Sequence, residues 1–314
     1  MTQTVLVFLD RAFPDGRIED ATKPQLFATD LGATRGDGVF ETALVLDGHV
    51  RKLPAHLSRM TRSAALLDLE VPDHTVWERA IVTALDEYQR TMGPLTEVVL
   101  KLVVTRGVEG AHEPTCWVAA SAPAPAAKRQ REEGIDVLLL DRGYDSDLGE
   151  RAPWLLLGAK TLSYAVNMAA LRYAHAHGAD DVIFTSADGK VLEGPTSTVL
   201  IAHAERAPSD ARSGGAHDAG RVTLKRLVTP QLDSGILPGT SQGALFAAAK
   251  DAGWELGYGP LEPEDLFDAD AVWLISSVRL LTPVNHVDGK AIGSDPELAK
   301  ALTEELAGLF DKIA

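Results

Sequence analysis

The chain has 314 residues and a formal net charge of −15, and these two values already exclude several classes of protein. A hydrophobic fraction of 45% is enough for stable cores without disulfides or metals, and the length suits two domains. The negative charge argues against a nucleic-acid or anionic-membrane partner, because such partners require a basic surface. It does not argue against an anionic small substrate, which a few local arginines are able to bind.

The cysteine content and the N-terminal sequence both favour a soluble, cytoplasmic protein. Cys116 is the only cysteine, so an intramolecular disulfide is impossible and a reducing compartment is expected. The first residues lack a basic segment followed by a small-residue cleavage site. No apolar stretch approaches the ~20 residues that a membrane span requires.

The first 121 residues combine strand and helix patterns. Asp47-Gly48 lies between two alternating segments and predicts a hairpin, because the tight turn needs positive φ. Apolar residues then recur at helical spacing over 54–69, and a second helix is predicted over 76–92. Strands are predicted at 5–9, 41–45, 49–53, 97–105 and 115–121. Residues 1–121 are therefore expected to form an α+β domain with a mixed sheet and grouped helices.

A segment rich in proline, alanine and charge, residues 122–134, predicts an interdomain linker. The second domain, 135–314, is expected to contain strands, helices and one insertion. The insertion, 206–221, is rich in Ser, Gly, Ala and charge without periodicity, and we expect it to be mobile. The predicted strands are 135–140, 154–159, 181–185, 190–192, 198–202 and 271–275, and the predicted helices are 164–177 and 242–250.

Lys160 is the main candidate for chemistry. It follows an apolar run, where burial of an ammonium group is costly and lowers the pKa of a lysine, which suits imine formation. Glu193, on the following hairpin, supplies a carboxylate suited to keeping a pyridine nitrogen protonated. Taken singly, a lysine is usually a surface residue and a glutamate at a hairpin end is usually solvated. Taken together, the two residues indicate an enzyme that uses pyridoxal 5′-phosphate (PLP).

A phosphate site is predicted where Gly239-Thr240-Ser241 precedes a helix, because amide and hydroxyl donors at a helix N-terminus bind anions. The alternative there is ordinary N-capping. Ser277 follows a strand and offers a further donor. Arg59 suits bidentate phosphate binding, whereas His56, one turn earlier, is better explained as a hydrogen-bonded structural histidine. No CxxC, HExxH or Gly-x-Ser-x-Gly motif occurs, so zinc-hydrolase and α/β-hydrolase readings lack support and no metal is expected.

These segments, taken in order, resemble the class IV aminotransferases, PLP enzymes of fold type IV. The resemblance is carried by residues 35–42, 56–60, 160–167, 193–197, 237–241 and 276–284. It implies a two-domain α+β fold and a homodimer. It also implies residue roles: Lys160 as the Schiff-base lysine, Glu193 at the pyridine nitrogen, Tyr164 near the ring hydroxyl, and Arg59, Thr240, Ser241 and Ser277 at the phosphate. The chain departs from the family at Gln242, where arginine is common, and at Thr198, where asparagine is common.

The resemblance leaves the reaction open between three alternatives. The motifs look most like the 4-amino-4-deoxychorismate lyases of high-GC Gram-positive bacteria, which form 4-aminobenzoate and pyruvate for folate synthesis, and we favour this reading. The alternatives are a class IV transaminase acting on D-amino or branched-chain amino acids, and a PLP-binding homologue without turnover. Carboxylates on the substrate call for cationic or polar partners, for which the candidates are Arg35, Thr42, Arg106 and Arg279. Surface ion pairing is an equally good explanation for the last two arginines.

Overall fold

The computed structural model describes residues 4–206 and 222–313, and within them the chain forms two compact units. The first unit contains the described part of Met1–Ala127 together with Pro153–Val166. The second contains Lys128–Ala152 and the described part of Asn167–Ile313. This division differs from the predicted domains, because the segment that carries Lys160 belongs with the N-terminal unit. The reason is that backbone hydrogen bonds join the segment around Lys160 to the sheet of the first unit.

The first unit is built on a six-stranded sheet with the order β2-β1-β6-β5-β3-β4. Every neighbouring pair in it is antiparallel. The elements of this part of the chain are β1 (Thr4–Asp10), β2 (Phe13–Glu19), α1 (Leu31–Arg35), β3 (Gly38–Leu46), β4 (His49–Val50), α2 (Leu53–Ala65), α3 (His74–Met92), β5 (Glu97–Thr105) and β6 (Thr115–Ser121).

One face of this sheet is covered by α2 and α3. Successive side chains of a strand point to opposite faces, so Leu100 and Leu102 of β5 face the helices while Lys101 lies on the other face. Met60 of α2 and Trp77 of α3 are fully buried against them. Burial of each large apolar side chain contributes about 1.5–3 kcal/mol, which fixes the register that places the site residues.

The predicted hairpin between β3 and β4 is confirmed. Asp47 and Gly48 adopt φ values of 47° and 81°, the left-handed conformation that the turn requires. The second strand is shorter than predicted because the chain turns into α2 at Lys52, which also has a positive φ of 55°.

The second unit is built on a mixed eight-stranded sheet with the order β11-β10-β9-β12-β13-β7-β8, in which β14 also pairs with β13. The pairs β7–β8, β7–β13 and β10–β11 are parallel, and the others are antiparallel. The elements after β6 are α4 (Pro125–Glu133), β7 (Ile135–Asp141), α5 (Leu148–Arg151), α6 (Ala165–Ala176), β8 (Asp181–Thr185), β9 (Thr198–Arg206), β10 (Val222–Pro230), α7 (Thr240–Asp251), β11 (Glu255–Gly259), α8 (Pro263–Asp268), β12 (Ala271–Ser276), β13 (Leu280–Val287), β14 (Lys290–Ala291) and α9 (Pro296–Asp311).

Several predicted elements differ from the structure. The run 154–159 is not a strand, since Pro153–Leu155 form a 3₁₀ helix and Leu156 and Gly158 both have positive φ. An extended strand cannot contain two such residues, and the side chain of Trp154 is exposed instead. Residues 190–192 contribute only an isolated bridge through Val191. The segment predicted as a linker contains α4.

The predicted insertion at 206–221 lies outside the described residues except for Arg206, which ends β9. In the part of the chain that the structure describes, none of the helices combines the length and apolarity of a membrane span.

Candidate active site

In the first unit, the backbone around Lys160 is tied to the beginning of β3. The amide of Phe40 donates to the carbonyl of Lys160 at 3.1 Å, and the amide of Leu162 donates to the carbonyl of Gly38 at 2.8 Å. The amide of Lys160 donates to Ser63 Oγ on α2 at 3.1 Å. The segment is therefore positioned by a strand and a helix that are both anchored in the core.

The amino group of Lys160 lies against two aromatic rings. Its Nζ is 4.4 Å from the centroid of Phe40 and 5.9 Å from that of Tyr164. The two rings pack edge to face, with centroids 5.3 Å apart. The Lys160 side chain is partly buried rather than fully buried as expected. An ammonium group beside a ring face is attracted electrostatically to it, so the two rings fix the position of the Lys160 nitrogen.

A buried carboxylate, Glu41 of β3, joins the predicted phosphate arginine to His56. Arg59 donates from Nε to Glu41 Oε1 at 2.6 Å and from Nη2 to Oε2 at 2.8 Å, and His56 Nδ1 is 2.7 Å from Oε2. The side chains of Glu41 and His56 are fully buried. Burial alone would raise the pKa of Glu41, but the bonds and charges of Arg59 and His56 outweigh it and lower the pKa to about 2. The predicted structural role of His56 is confirmed by this hydrogen bond.

Positive charge exceeds negative charge around Arg59. Arg51 and Lys52 are also buried, at 4% and 9% exposure. Burial, with the nearby charges of Arg51 and Arg59, lowers the pKa of Lys52 to about 7. A guanidinium carries five N–H donors, of which the pair with Glu41 engages two. Arg51 and Arg59 keep their charge at neutral pH, and buried guanidinium groups favour a bound anion such as a phosphate.

The structure places the predicted substrate residues of this unit in different settings. Arg35 is exposed at the end of α1, and Thr42 of β3 is partly buried. Arg106 donates to both Asp37 oxygens at 2.6 and 3.1 Å, and its guanidinium also donates to the carbonyls of Leu67 and Asp68. Arg106 is thus already engaged in structural bonds, which argues against the predicted substrate role.

Lys101 is a candidate that the sequence reasoning missed. It lies opposite Thr42 in the β3–β5 register, on the sheet face away from the helices. Its Nζ is 5.1 Å from the centroid of Phe40, the same ring that Lys160 approaches. The two nitrogens are therefore separated by no more than the sum of these two ring distances. Within residues 4–206 and 222–313, no carboxylate forms a salt bridge with Lys101.

In the second unit, both the backbone carbonyl and the side-chain carboxylate of Glu193 accept hydrogen bonds. The amide of Phe184 donates to the Glu193 carbonyl at 2.9 Å. The amide of Leu237 donates to Glu193 Oε2 at 3.0 Å. The backbone hydrogen bond fixes the direction of the Glu193 carboxylate. A carboxylate that keeps a ring nitrogen protonated needs such a fixed direction.

The predicted phosphate residues of the second unit come together at the start of α7. Ser277 Oγ lies 3.3 Å from Thr240 Oγ1 and 3.2 Å from Ser241 Oγ. Thr240 and Ser241 occupy the first turn of this 12-residue helix, where amides lack intrahelical acceptors. A Cβ on Gly239 would lie 2.6 Å from Thr198 Oγ1 and 3.2 Å from Gln242 Cβ, so glycine allows the Thr198 hydroxyl to lie this close to the helix start. Three hydroxyls at a helix N-terminus match the needs of a phosphate.

Arg279, predicted to bind substrate, is paired with a buried carboxylate in the second unit. Its Nη2 donates to Asp181 Oδ2 at 2.5 Å and weakly to Ser197 Oγ at 3.4 Å. Asp181 is only 1% exposed. Because this pair neutralises the guanidinium, ion pairing, which was the alternative to substrate binding, explains Arg279 better, with a buried rather than a surface carboxylate as its partner.

Each unit contains residues with the chemistry that PLP needs. The first unit has an amine beside aromatic rings, and the second has a fixed carboxylate and hydroxyls at a helix N-terminus. Glu41 was missed, although its place among Val39, Ala43 and Val45 on the buried face of β3 was a usable signal for a buried ion pair. Lys101 had no such signal, since its relation to Lys160 depends on tertiary contacts. Among residues 4–206 and 222–313, no group of three or more His, Cys, Asp or Glu side chains is arranged to hold a metal.

Known proteins are similar to this chain in sequence and in fold over nearly its whole length. A bifunctional aminodeoxychorismate lyase / D-amino acid transaminase of Mycobacterium tuberculosis is 44% identical over 298 residues, covering 95% of this chain and 96% of the relative. A fold IV-transaminase from Curtobacterium pusillum is 41% identical with a TM-score of 0.84, covering 99% and 100% of the two chains. A PLP-bound hypothetical aminotransferase from M. tuberculosis is also 41% identical with a TM-score of 0.84, covering 98% of each.

The amino-transferase class IV family matches residues 38–287, a range that includes both groups of site residues. The predicted family and the predicted mixed α+β, fold-type IV architecture are therefore confirmed. The chain belongs to the class IV aminotransferases and is a PLP-dependent enzyme of the lyase or transaminase type.

Proposed function

We propose that this enzyme cleaves 4-amino-4-deoxychorismate to 4-aminobenzoate and pyruvate. The observation that carries the proposal is the 44% identity, across nearly the full length of both chains, to a relative named as an aminodeoxychorismate lyase and D-amino acid transaminase. The positions of Lys160 and Lys101 support the proposal. Lys160 supplies the base and Lys101 a cation for a substrate carboxylate, and both contact the ring of Phe40 on one face of the sheet.

Each site residue has a distinct part in this reaction. When bound, PLP supplies the electron-withdrawing ring that stabilises negative charge on the carbon next to the substrate nitrogen. Lys160 is the base that removes the proton from this carbon. Glu193 holds a proton at the pyridine nitrogen. Arg59 and the hydroxyls of Thr240, Ser241 and Ser277 bind the phosphate.

The overall chemistry balances without water or an oxidant. The C–H bond next to the nitrogen breaks, the ether C–O bond breaks with its electron pair leaving on oxygen, and the carbocycle becomes aromatic. The oxygen leaves as the enolate of pyruvate, and this enolate takes up one proton at its methylene carbon and becomes pyruvate. Lys160 is suited to both proton transfers, since a single amine beside the reacting carbon serves as base and then as acid.

Lys101 is proposed to bind a carboxylate of the substrate. The substrate carries two carboxylates. When the substrate amine lies beside Lys160, we expect one of these carboxylates to lie towards the ammonium group of Lys101, which also contacts Phe40. A charge-assisted hydrogen bond to a carboxylate is among the stronger polar contacts available. Arg106 and Arg279 are less suited, because Asp37 and Asp181 already neutralise them.

D-amino-acid transamination is a second candidate activity. It is favoured by the second activity in the name of the same M. tuberculosis relative and by the transaminase from C. pusillum. Lys160 would then return the proton to the cofactor side rather than complete an elimination. Because the same base serves both reactions, the two activities are compatible in one site.

The test is to incubate the holoenzyme with aminodeoxychorismate and to follow 4-aminobenzoate by fluorescence and pyruvate by a coupled assay. Parallel reactions contain D-alanine or L-leucine with 2-oxoglutarate. We expect 4-aminobenzoate and pyruvate in equal amounts, turnover of D-alanine, and loss of both activities in Lys160→Ala. Formation of keto acid from an amino donor without any 4-aminobenzoate would contradict the lyase assignment and leave the transaminase.

A second arm tests Lys101. Lys101→Met should raise KM for aminodeoxychorismate and for 2-oxoglutarate by roughly 10-fold or more, the loss expected for a charge-assisted bond. The matched control is Lys23→Met, which removes an exposed lysine from the same unit. Equal KM values for Lys101→Met and the control would remove Lys101 from the site while leaving the reaction assignment intact.

A further inference from the structure

Asn167 ends the motif that begins at Lys160, and the catalytic roles above do not account for it. It lies in the first turn of α6 and its side chain is partly buried. Its Nδ2 donates to the carbonyl of Pro195 at 2.7 Å. Its Oδ1 accepts from Nη2 of Arg142 at 3.1 Å. Both ends of the amide are thus used by other elements of the second unit.

This pair of bonds fixes the direction of the amide. Reversal would set the oxygen of Asn167 against the carbonyl of Pro195 and its NH₂ group against the guanidinium of Arg142. Both contacts would be repulsive, since they pair acceptor with acceptor and donor with donor. Asn167 therefore acts as a directed link between the residue after β7 and the turn at Pro195.

The turn at Pro195 is the one that carries Glu193. Two residues before Pro195, the Glu193 carbonyl accepts from the amide of Phe184. Two residues after it, the carbonyl of Ser197 accepts from the amide of Gly194 at 2.8 Å, which closes the turn. The bond from Asn167 is thus a side-chain attachment at the centre of a turn whose ends are held by backbone bonds.

Arg142 connects this attachment to the strand beneath Glu193. Its guanidinium carbon lies 4.2 Å from the ring centroid of Phe184, the residue whose amide holds Glu193. Its own amide donates to the carbonyl of Thr185 at 2.8 Å. Burial raises the pKa of the nearby Tyr144, which Glu193 raises further and Arg142 opposes, so both charges lie close to that hydroxyl. Arg142 thus contacts the strand residue whose amide holds Glu193, and it is linked to the turn of Glu193 through Asn167.

We propose that Asn167 is a positioning residue for Glu193: the hydrogen-bonded chain Arg142–Asn167–Pro195 holds the turn so that the Glu193 carboxylate stays aligned with the pyridine nitrogen of PLP. The proposal rests on the role proposed for Glu193. It assigns a function to the end of the Lys160 motif and to an arginine outside every predicted motif. Asn167 contacts neither the reacting atoms nor the cofactor in this role, and it acts through the turn.

The test compares four holoenzymes: wild type, Asn167→Ala, Glu193→Gln and the double variant. The protonation of the pyridine nitrogen is read by NMR of PLP labelled at that nitrogen, and the single-turnover rate with D-alanine is read from the cofactor absorbance. Asn167→Ala should move the nitrogen signal towards the unprotonated position, in the same direction as Glu193→Gln, and slow the single turnover by roughly 10- to 100-fold. In the Glu193→Gln background it should add little, because residues that act through one another are not additive.

A matched control is Asn285→Ala, which removes an equivalent bond from an exposed asparagine to the carbonyl of Glu133 at 2.9 Å. It should leave the nitrogen signal unchanged. If Asn167→Ala does not fold, Asn167→Asp is used in its place and should shift the nitrogen signal in the same direction. Its carboxylate keeps the bond to Arg142 but repels the carbonyl of Pro195.

An unchanged nitrogen signal in the Asn167 variant, or an equal loss of rate in both backgrounds, would overturn the positioning role alone. An unchanged signal in Glu193→Gln would instead overturn the role of Glu193 and the present proposal with it.

Discussion

At the scale of single residues, the central feature of the first unit is the fully buried carboxylate of Glu41. It binds Arg59 through two hydrogen bonds and His56 through a third. Such a pair contributes little net stability, because desolvation offsets the attraction, yet removal of one partner leaves the other charge buried. Its value to the enzyme lies in fixing the guanidinium that we expect at the phosphate.

Glu41→Gln should therefore destabilise the apoenzyme by about 3–5 kcal/mol, since Arg59 would lose its counter-ion in a site with two further cations. The measurement is urea unfolding followed by circular dichroism. Glu87→Gln serves as the control, because its pair with Arg90 is exposed on α3, and it should give no resolvable change. Equal midpoints for the two variants would contradict the importance of the buried pair.

The pH dependence of stability should reveal Lys52. Its pKa is about 7 in the folded protein, whereas an unfolded lysine has a pKa of about 10.4. Between these values the unfolded chain binds a proton that the folded chain does not, so stability rises with pH in this window. Each unit of pKa difference corresponds to about 1.4 kcal/mol.

The measurement is the unfolding free energy of wild type minus that of Lys52→Met, which keeps the backbone strain but removes the charge. This difference should increase from neutral pH towards pH 10 and be constant below neutral pH. A flat difference across the whole range would show that Lys52 remains protonated in the folded state.

At the scale of elements, the start of α7 is the feature on which the phosphate site depends. Gly239 precedes the helix, and its α-carbon faces Thr198 Oγ1 closely enough to exclude a methyl group. The position of the helix N-terminus relative to Ser277 is therefore set by a glycine rather than by a side-chain cap.

Gly239→Ala should weaken PLP binding by roughly 10-fold or more, because either the Thr198 hydroxyl or the helix start must shift to make room for the added methyl group. The dissociation constant is measured by fluorescence quenching of the apoenzyme. Gly243→Ala on the same helix is the control, since its Cβ would meet open space and alanine favours the helix by up to about 1 kcal/mol. Tight PLP binding by Gly239→Ala would contradict the close approach.

At the scale of the whole molecule, α6 is the candidate contact surface of the homodimer that the family resemblance implies. This helix buries only Ala170 and Ala174, while Met168 and Tyr173 are 43% and 50% exposed. Exposed apolar side chains on a helix with so small a buried face are typical of an interface. They support the proposed homodimer.

Sedimentation equilibrium of the purified enzyme should accordingly give the mass of a dimer. Met168→Asp should shift the equilibrium towards monomer, because it would bury a charge in the interface. Val82→Asp, which changes an exposed apolar residue on α3, should remain dimeric. A monomeric wild type, or dissociation caused equally by both variants, would contradict the assignment of α6 to the interface.

Much of the local structure could be predicted, and the errors have a common cause. The Asp47-Gly48 hairpin, β5 and β6 follow from turn chemistry and alternation, which act over a few residues. The apolar run before Lys160 was wrongly predicted as a strand, because apolarity alone does not distinguish a strand from a 3₁₀ turn with positive φ. Within the run the bonds are local turn bonds, from the Leu156 amide to the Pro153 carbonyl and from the Ala159 amide to the Leu156 carbonyl. The contacts from β3 and α2, more than 90 residues earlier in the chain, hold only the end of the run at Lys160.

The sequence by itself determined the family and the cofactor, and it puts forward Lys160 as the Schiff-base lysine, because these depend on residue types in a fixed order along the chain. Only the tertiary structure decided which charges remain available. It neutralised Arg106 with Asp37 and Arg279 with Asp181, and it brought Lys101 to the same ring as Lys160. The physical reason is the separation along the chain between interacting residues. Motifs and turns depend on neighbouring residues, whereas the partner of a charged side chain is set by strand register and by packing between distant segments.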